Sequence, residues 1–216
     1  EELFSFAKQN DIILFSTPFD YTAVDLLENL DTPAYKIASF EITDTHLIKY
    51  IARTKKPILM STGMASLEEI GEAVTAAKES GNEELLLFHC ISSYPALTEE
   101  SNLNNLKYLA EKFNCLVGLS DHTQSNLASS LAISFGAVAI EKHFKLDKNE
   151  SGPDSSFSLL PSQLKSLVKD CEKTQQSIGP EYFMRSESEV QNSKYRRSLY
   201  FIKDLMAGSE ITDKDI

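Results

Sequence analysis

Six short apolar runs punctuate the chain: Ile12–Ser16, Ala34–Ser39, Pro57–Ser61, Leu85–Cys90, Leu116–Ser120 and Ala137–Lys142, with starts about 20 to 31 residues apart. Between them, apolar positions recur at helical spacing over Tyr21–Leu30, His46–Arg53, Leu67–Lys78, Leu103–Phe113 and Leu127–Phe135, several behind an Asp or Ser that can cap a helix. The pattern is β-α repeated. Strands that read as unbroken apolar runs are buried on both faces, which makes them parallel and leaves a doubly wound sheet or a (β/α)8 barrel.

A barrel needs eight βα units, and the pattern supplies six, followed by a helix over Pro161–Ser177 that completes the last. The opening Glu1-Glu2-Leu3-Phe4-Ser5-Phe6-Ala7-Lys8 reads as the middle or end of a helix, with no initiator Met. The expectation is a barrel fragment lacking its first strands. Past residue 178 the chain turns polar, and a β-rich run, Arg197–Ile202, begins after it. Three segments follow: a partial barrel over 1–178, a linker over 179–196, and the start of a second, β-rich module over 197–216.

Composition narrows the classes. With 42% apolar and 25% charged residues, 216 residues are enough for one sizeable core. The longest apolar stretches, Leu85–Phe88 and Phe135–Ile140, are far shorter than the roughly 20 residues that cross a bilayer, and Glu1-Glu2 is no signal-peptide start. The 21 Lys+Arg against 32 Asp+Glu give a net charge of −11 with no basic stripe, which argues against nucleic acid as a partner. Three widely spaced cysteines, Cys90, Cys115 and Cys171, suggest neither a disulfide framework nor a zinc knuckle, and fit a reducing cytoplasm.

Active sites of parallel α/β folds form at the carboxyl ends of the strands. Every run here ends in polar groups: Ser16-Thr17-Pro18-Phe19-Asp20; Lys36 with Ser39 and Glu41; Ser61-Thr62-Gly63-Met64; His89-Cys90-Ile91-Ser92-Ser93-Tyr94-Pro95; Ser120-Asp121-His122-Thr123; and Glu141-Lys142-His143-Phe144. His122 and His143 end consecutive strands, and adjacent strands lie about 4.8 Å apart, so two neutral imidazoles can reach one divalent transition metal; the competing reading is two core histidines bonded to backbone. His89, one strand away, can contribute to the same ion and reads equally as a packed strand residue, and His46 reads as solvated. Lys36 places a cation inside an apolar barrel and needs an anionic ligand, or else an ion pair with Glu41 or Glu141. Ser61-Thr62-Gly63 offers hydroxyls and a close backbone approach to an anion, and also reads as a plain turn. Asp154 sits on a loop that can fold over the site or stay in solvent.

Taken in order, Phe15-Ser-Thr-Pro-Phe19, Tyr35-Lys-Ile-Ala-Ser-Phe-Glu41, Ser61-Thr-Gly-Met64, His89-Cys90 with Tyr94-Pro95, Gly118-Leu-Ser-Asp-His-Thr123, Ile140-Glu-Lys-His-Phe144 and Gly152-Pro-Asp154 resemble the sialic acid synthase family. These enzymes condense phosphoenolpyruvate with an amino sugar to make nonulosonic acids. The resemblance covers nearly the whole chain. It implies a (β/α)8 TIM barrel followed by a small antifreeze-like (SAF) domain, in a domain-swapped homodimer. Lys-Ile-Ala-Ser-Phe-Glu, Gly-Pro-Asp-Ser-Ser-Phe-Ser-Leu and the Tyr195-Arg-Arg-Ser-Leu-Tyr200 junction resemble the pseudaminic acid synthase branch, where the sialic acid branch has Gly for Phe40 and Asn for Ser92.

The resemblance further implies phosphoenolpyruvate held by Lys36, Ser39, Ser61 and Ser120, with Thr17 and Ser92 nearby. It implies a divalent metal, Mn2+ ahead of Mg2+ or Co2+, on His122 and His143. Glu41 and Asp154 would handle protons and orient water or sugar, and Tyr94 would contact the sugar. Phe40 and Phe157 would make the sugar pocket more apolar, suiting a 2,4-diacetamido-2,4,6-trideoxy hexose. A glutamate and a lysine from earlier strands and an arginine from the partner's antifreeze-like domain lie outside this chain, so alone it is expected to be inactive. The alternatives are a synthase of N-acetylneuraminate or legionaminate using N-acetylmannosamine or a related sugar, another phosphoenolpyruvate-using synthase such as those making 3-deoxy sugar acids, and a non-catalytic sugar- or phosphate-binding barrel.

Overall fold

The computed structural model describes residues 1–216, and its backbone forms two units, Glu1–Ile178 and Gly179–Ile216. In the first, five parallel strands lie side by side in sequence order: β1 (Tyr35–Ile37), β2 (Ile58–Ser61), β3 (Leu85–Cys90), β4 (Leu116–Ser120) and β5 (Ala139–Glu141). A doubly wound sheet reverses its order at a switch point, whereas a barrel adds each strand beside the last. The uninterrupted order therefore selects the barrel, of which this sheet is an arc. Ile12–Ser16, expected as a sixth strand, contributes one parallel bridge, Ser16 to Tyr35. It pairs on the β1 side alone, and with Ile12 and Ile13 more than half exposed the ladder stops after that rung.

The connections are helical where the spacing predicts: α1 (Glu2–Gln9), α2 (Tyr21–Asn29), α3 (Thr45–Ala52), α4 (Leu67–Glu79), α5 (Asn104–Phe113), α6 (Leu127–Ser134) and α7 (Pro161–Ile178). Their starts are fixed by side chains that satisfy orphan backbone donors. Asp20 accepts from Ala23 N–H at 2.8 Å and Asp44 from Leu47 N–H at 2.9 Å, while Ser66 and Glu69 form a reciprocal capping box on α4.

Two-residue alternation sorts each strand. Tyr35 and Ile37, Ile58 and Met60, Leu85 and Leu87, and Val117 and Leu119 join the core packed against Ile48, Ile51, Ala73, Ala77 and Leu106 of the helices. Lys36, Ser61, Phe88, Cys90, Ser120 and Glu141 face the opposite side, the barrel lumen, and the register sets Cys90, Ser120 and Glu141 abreast on β3, β4 and β5. Gly118 has no room for a side chain: a Cβ there would lie 2.7 Å from the Phe88 ring and 2.7 Å from the Ala139 carbonyl oxygen. The missing side chain lets the Phe88 ring fill the lumen below the rim.

In the second unit Ser186 caps a short helix, α8 (Glu187–Asn192). The strand expected from Arg197 is not formed: a strand exists as one side of a ladder, and what this segment has is a single bond, Ile202 N–H to the Asp215 carbonyl at 2.9 Å. No helix of the structure is long and apolar enough to cross a membrane.

Leu87, wholly buried on β3, tests which face carries the core. Leu87→Ala should cost about 2–5 kcal/mol in chemical denaturation; a loss below about 1 kcal/mol would contradict the assignment of that face.

Candidate active site

The rim is built from the strand ends. Lys36 lies in the lumen, 8% exposed, with Nζ donating to Ser61 Oγ at 2.7 Å and to the Ile37 carbonyl at 3.3 Å. Its charge partner is Glu141, 3.6 Å away, whose other oxygen accepts from Ser120 Oγ at 2.7 Å. Lys36 also stands 5.8 Å from the centre of the Phe88 ring, so below it is apolar. Of the two ion-pair partners open to Lys36 in the sequence, Glu141 is the one in reach. Glu41 ends the 3-10 turn that follows β1, and its Oε2 is buried without a hydrogen-bond partner.

Beside the lysine, the loop after β2 is drawn tightly against its neighbours. Gly63 N–H donates to Ser39 Oγ at 3.2 Å. A Cβ on Gly63 would collide with Ser92 Oγ and stand 2.7 Å from Ser39 Oγ. The glycine thus leaves the Ser39 and Ser92 hydroxyls in place where a side chain would turn them away, and three hydroxyls, Ser39, Ser61 and Ser92, line one wall with the buried Cys90 thiol between Ser39 and Ser92. Thr17 follows the bridge residue Ser16, half-buried.

The two rim histidines stand 5.2 Å apart, centre to centre. His122 donates from Nδ1 to the Ile91 carbonyl at 2.9 Å, which leaves a lone pair on Nε2. His143 turns Nδ1 toward the Asp154 carboxylate, 3.4 Å away. Burial, reinforced by His122, holds His143 below the ordinary imidazole value and so in the neutral form a metal requires. Two oriented neutral imidazoles suit a transition ion better than the hard Mg2+. No group of three or more His, Cys, Asp or Glu side chains gathers at metal-binding spacing, so the pair fits an ion as two of its ligands, with water or substrate oxygen for the rest.

Tyr94 packs on His122 at 4.4 Å and borders Phe157 at 5.4 Å. Its phenol is held protonated chiefly by burial, which raises its pKa. The two phenylalanines expected to line a sugar pocket part company: Phe40 is 68% exposed at the rim, whereas Phe157 is 4% exposed, packed against His143 at 4.9 Å. Phe157 is a wall under the histidines and presents no free surface to a substrate. His89 points to the helix side and donates to the Ser101 carbonyl at 2.8 Å, a satisfied core histidine.

Sequence reasoning passed over one feature. Asp121 and Lys142, each adjacent to a rim histidine, pair at 3.2 Å with side chains 1% and 2% exposed. Their signal was the alternation itself, which sends a residue beside a lumen-facing one to the opposite face.

Comparison with known proteins gives one family. The sequence profile of the NeuB family matches residues 1–182. The chain is 40% identical over 216 residues to a pseudaminic acid synthase of Helicobacter pylori, covering all of this chain and 64% of the relative. It is 41% identical over 219 residues to an N,N'-diacetyllegionaminic acid synthase of Campylobacter jejuni, covering all of this chain and 66% of that one. Among solved structures, the N-acetylneuraminic acid (sialic acid) synthetase of Leptospira borgpetersenii matches with a TM-score of 0.83 at 31% identity, over 92% of this chain and 70% of that one. The chain spans just under two thirds of the length of the two sequence relatives.

Burial lowers the pKa of His89 below its ordinary 6.5. The unfolded chain then takes up this proton more readily than the folded one, so the stability His89 contributes is complete above about pH 6.5 and declines as pH falls below it. His89→Gln, which keeps a donor for Ser101, should flatten the loss of stability between pH 7 and pH 5 in denaturant titrations. An unchanged slope would show that other groups set it.

Proposed function

Because this chain belongs to the NeuB family, we propose that the protein condenses phosphoenolpyruvate with a 2,4-diacetamido-2,4,6-trideoxy hexose, giving pseudaminic acid and phosphate. The observation that carries the reading is the pairing, on one rim, of a buried ammonium ringed by hydroxyls with two oriented imidazoles. An anion site and an electrophile site thus share the rim formed by the ends of neighbouring strands.

In the net reaction C3 of phosphoenolpyruvate bonds to the sugar's aldehyde carbon, water adds at C2, and phosphate leaves by C–O cleavage. Lys36, Ser39, Ser61 and Ser120 hold the phosphoenolpyruvate anion, with Thr17 and Ser92 at its edge. Their charge-assisted hydrogen bonds keep C3 pointed at the aldehyde. A divalent ion on His122 and His143, Mn2+ in our reading, would supply Lewis-acid polarisation of the aldehyde oxygen. Glu41, with a buried oxygen free of other partners, and Asp154 accept protons from the attacking water and orient the sugar. Tyr94, protonated, donates to a sugar oxygen. The family's C-terminal antifreeze-like domain and domain-swapped dimer complete the site in the whole protein.

The branch rests on Phe40. Identities of 40% and 41% to the pseudaminic and legionaminic synthases do not separate those two, and Phe40 bears on the sialic acid alternative alone: an exposed phenyl ring beside Glu41 favours a methyl group over a hydroxymethyl. A buried methylene is worth about 0.8 kcal/mol and an unpaired hydroxyl costs roughly 1–3 kcal/mol more. In competition, the full-length protein should therefore prefer 2,4-diacetamido-2,4,6-trideoxyaltrose over N-acetylmannosamine by roughly ten- to several-hundredfold in kcat/KM, with Phe40→Gly eroding the preference. Preference for N-acetylmannosamine would return the protein to the sialic acid branch. Binding of phosphoenolpyruvate with no product by mass spectrometry would leave a non-catalytic barrel.

A second test addresses the histidines. His122→Ala or His143→Ala in the full-length protein should abolish metal-dependent turnover with an unchanged circular dichroism spectrum, because neither ring belongs to the apolar core. Full rate after chelation and desalting would remove the metal from the mechanism.

A further inference from the structure

Directly behind the two rim histidines, on the helix-facing side of β4 and β5, lies a buried polar knot. Lys142 Nζ sits 3.2 Å from Asp121 Oδ2 and donates to the Thr123 carbonyl at 2.6 Å. Asp121 accepts from Thr123 N–H at 2.8 Å through Oδ1 and from Ser129 Oγ of α6 at 2.5 Å through Oδ2. The backbone closes the knot, since Asp121 N–H donates to the Glu141 carbonyl at 2.9 Å. With side chains 1% and 2% exposed, the two charges are shut off from water.

Such a pair is costly to bury, and replacing one by apolar residues is often neutral or stabilising. Fold stability alone gives little reason for it. What it does geometrically is specific: it ties the residue before His122 to the residue before His143, across the seam between two strands and onto α6. We propose that Lys142 and Asp121 are positioning residues, a brace that fixes the separation and aim of the two imidazoles. This rests on the reading of His122 and His143 as metal ligands. The brace lies outside the ligand set and touches no substrate, so its loss acts through ligand geometry, while Lys36, Ser39 and Ser61 of the anion site stand on or just after other strands.

The test uses the full-length protein with Mn2+ alone, its free signal followed by electron paramagnetic resonance, and a parallel phosphoenolpyruvate titration by calorimetry. Lys142→Met leaves Asp121 buried and uncompensated, so Asp121→Asn with Lys142→Gln is the second variant, neutral and still able to hydrogen-bond. Groups that hydrogen-bond directly to metal-bound histidines are typically worth roughly 10–100-fold in metal affinity, and the brace acts one residue away from the rings. The double variant should therefore lose Mn2+ affinity at the lower end of that range, roughly tenfold, while keeping phosphoenolpyruvate affinity within about threefold. Ile51→Val, a core substitution on α3, serves as the stability control and should leave Mn2+ affinity unchanged. Mn2+ binding equal to that of the unsubstituted protein would overturn the brace and leave the metal site standing. No Mn2+ binding by the unsubstituted protein would overturn the metal reading and the brace with it.

Discussion

An ammonium group held in the lumen of a barrel must be met by negative charge and by hydrogen-bond acceptors, or it will not stay there. Lys36 meets this demand with Ser61, the Ile37 carbonyl and, more distantly, Glu141. The rest of the rim follows from it. Glu141 is shared between Lys36 and Ser120, which links β1 to β4 and β5 through side chains as well as through the ladder. At 3.6 Å the carboxylate is a loose partner, and the hydroxyls of Ser39, Ser61 and Ser92 surround the same region. An ammonium whose charge partner is that loose, edged by hydroxyls that can donate, can take up an anion.

The two-residue period of the strands divides the labour. On the lumen side of the β4 and β5 ends stand Ser120 and His122, Glu141 and His143, the groups that can meet a substrate. On the helix side stand Asp121 and Lys142, which meet each other. Reactive groups are thereby presented from stiff elements, and Phe157 closes the space beneath the two imidazoles.

Much of this was legible in the chain. Unbroken apolar runs specify parallel strands, and their polar ends mark the rim; His122 and His143 were found because they end consecutive strands, and Gly63 because a small residue before a helix permits close approach. What escaped has physical causes. Ile12–Ser16 has strand composition, yet Ile12 and Ile13 stay largely exposed and the run makes a single bridge, while Arg197–Ile202 makes no ladder; composition does not say who the neighbour is. Phe157 reads as a pocket residue because it shares a loop with Asp154, but its depth depends on packing against Tyr94 and the histidines, which are distant in sequence. The buried Lys142–Asp121 pair was hidden for a similar reason, since charged residues beside a rim histidine read as solvent-facing until α6 covers them.

The proposed chemistry requires Lys36 to bind an anion and not merely to complete an ion pair with Glu141. Lys36→Met keeps the length of the stem and removes the charge, and Glu141, 39% exposed, can turn to water for compensation. Calorimetric titration of the full-length variant with phosphoenolpyruvate should show affinity weakened by about 2–5 kcal/mol, a loss of some thirtyfold or more. Affinity equal to that of the unsubstituted protein would make Lys36 a structural partner of Glu141 and contradict the anion site on which the proposed chemistry stands.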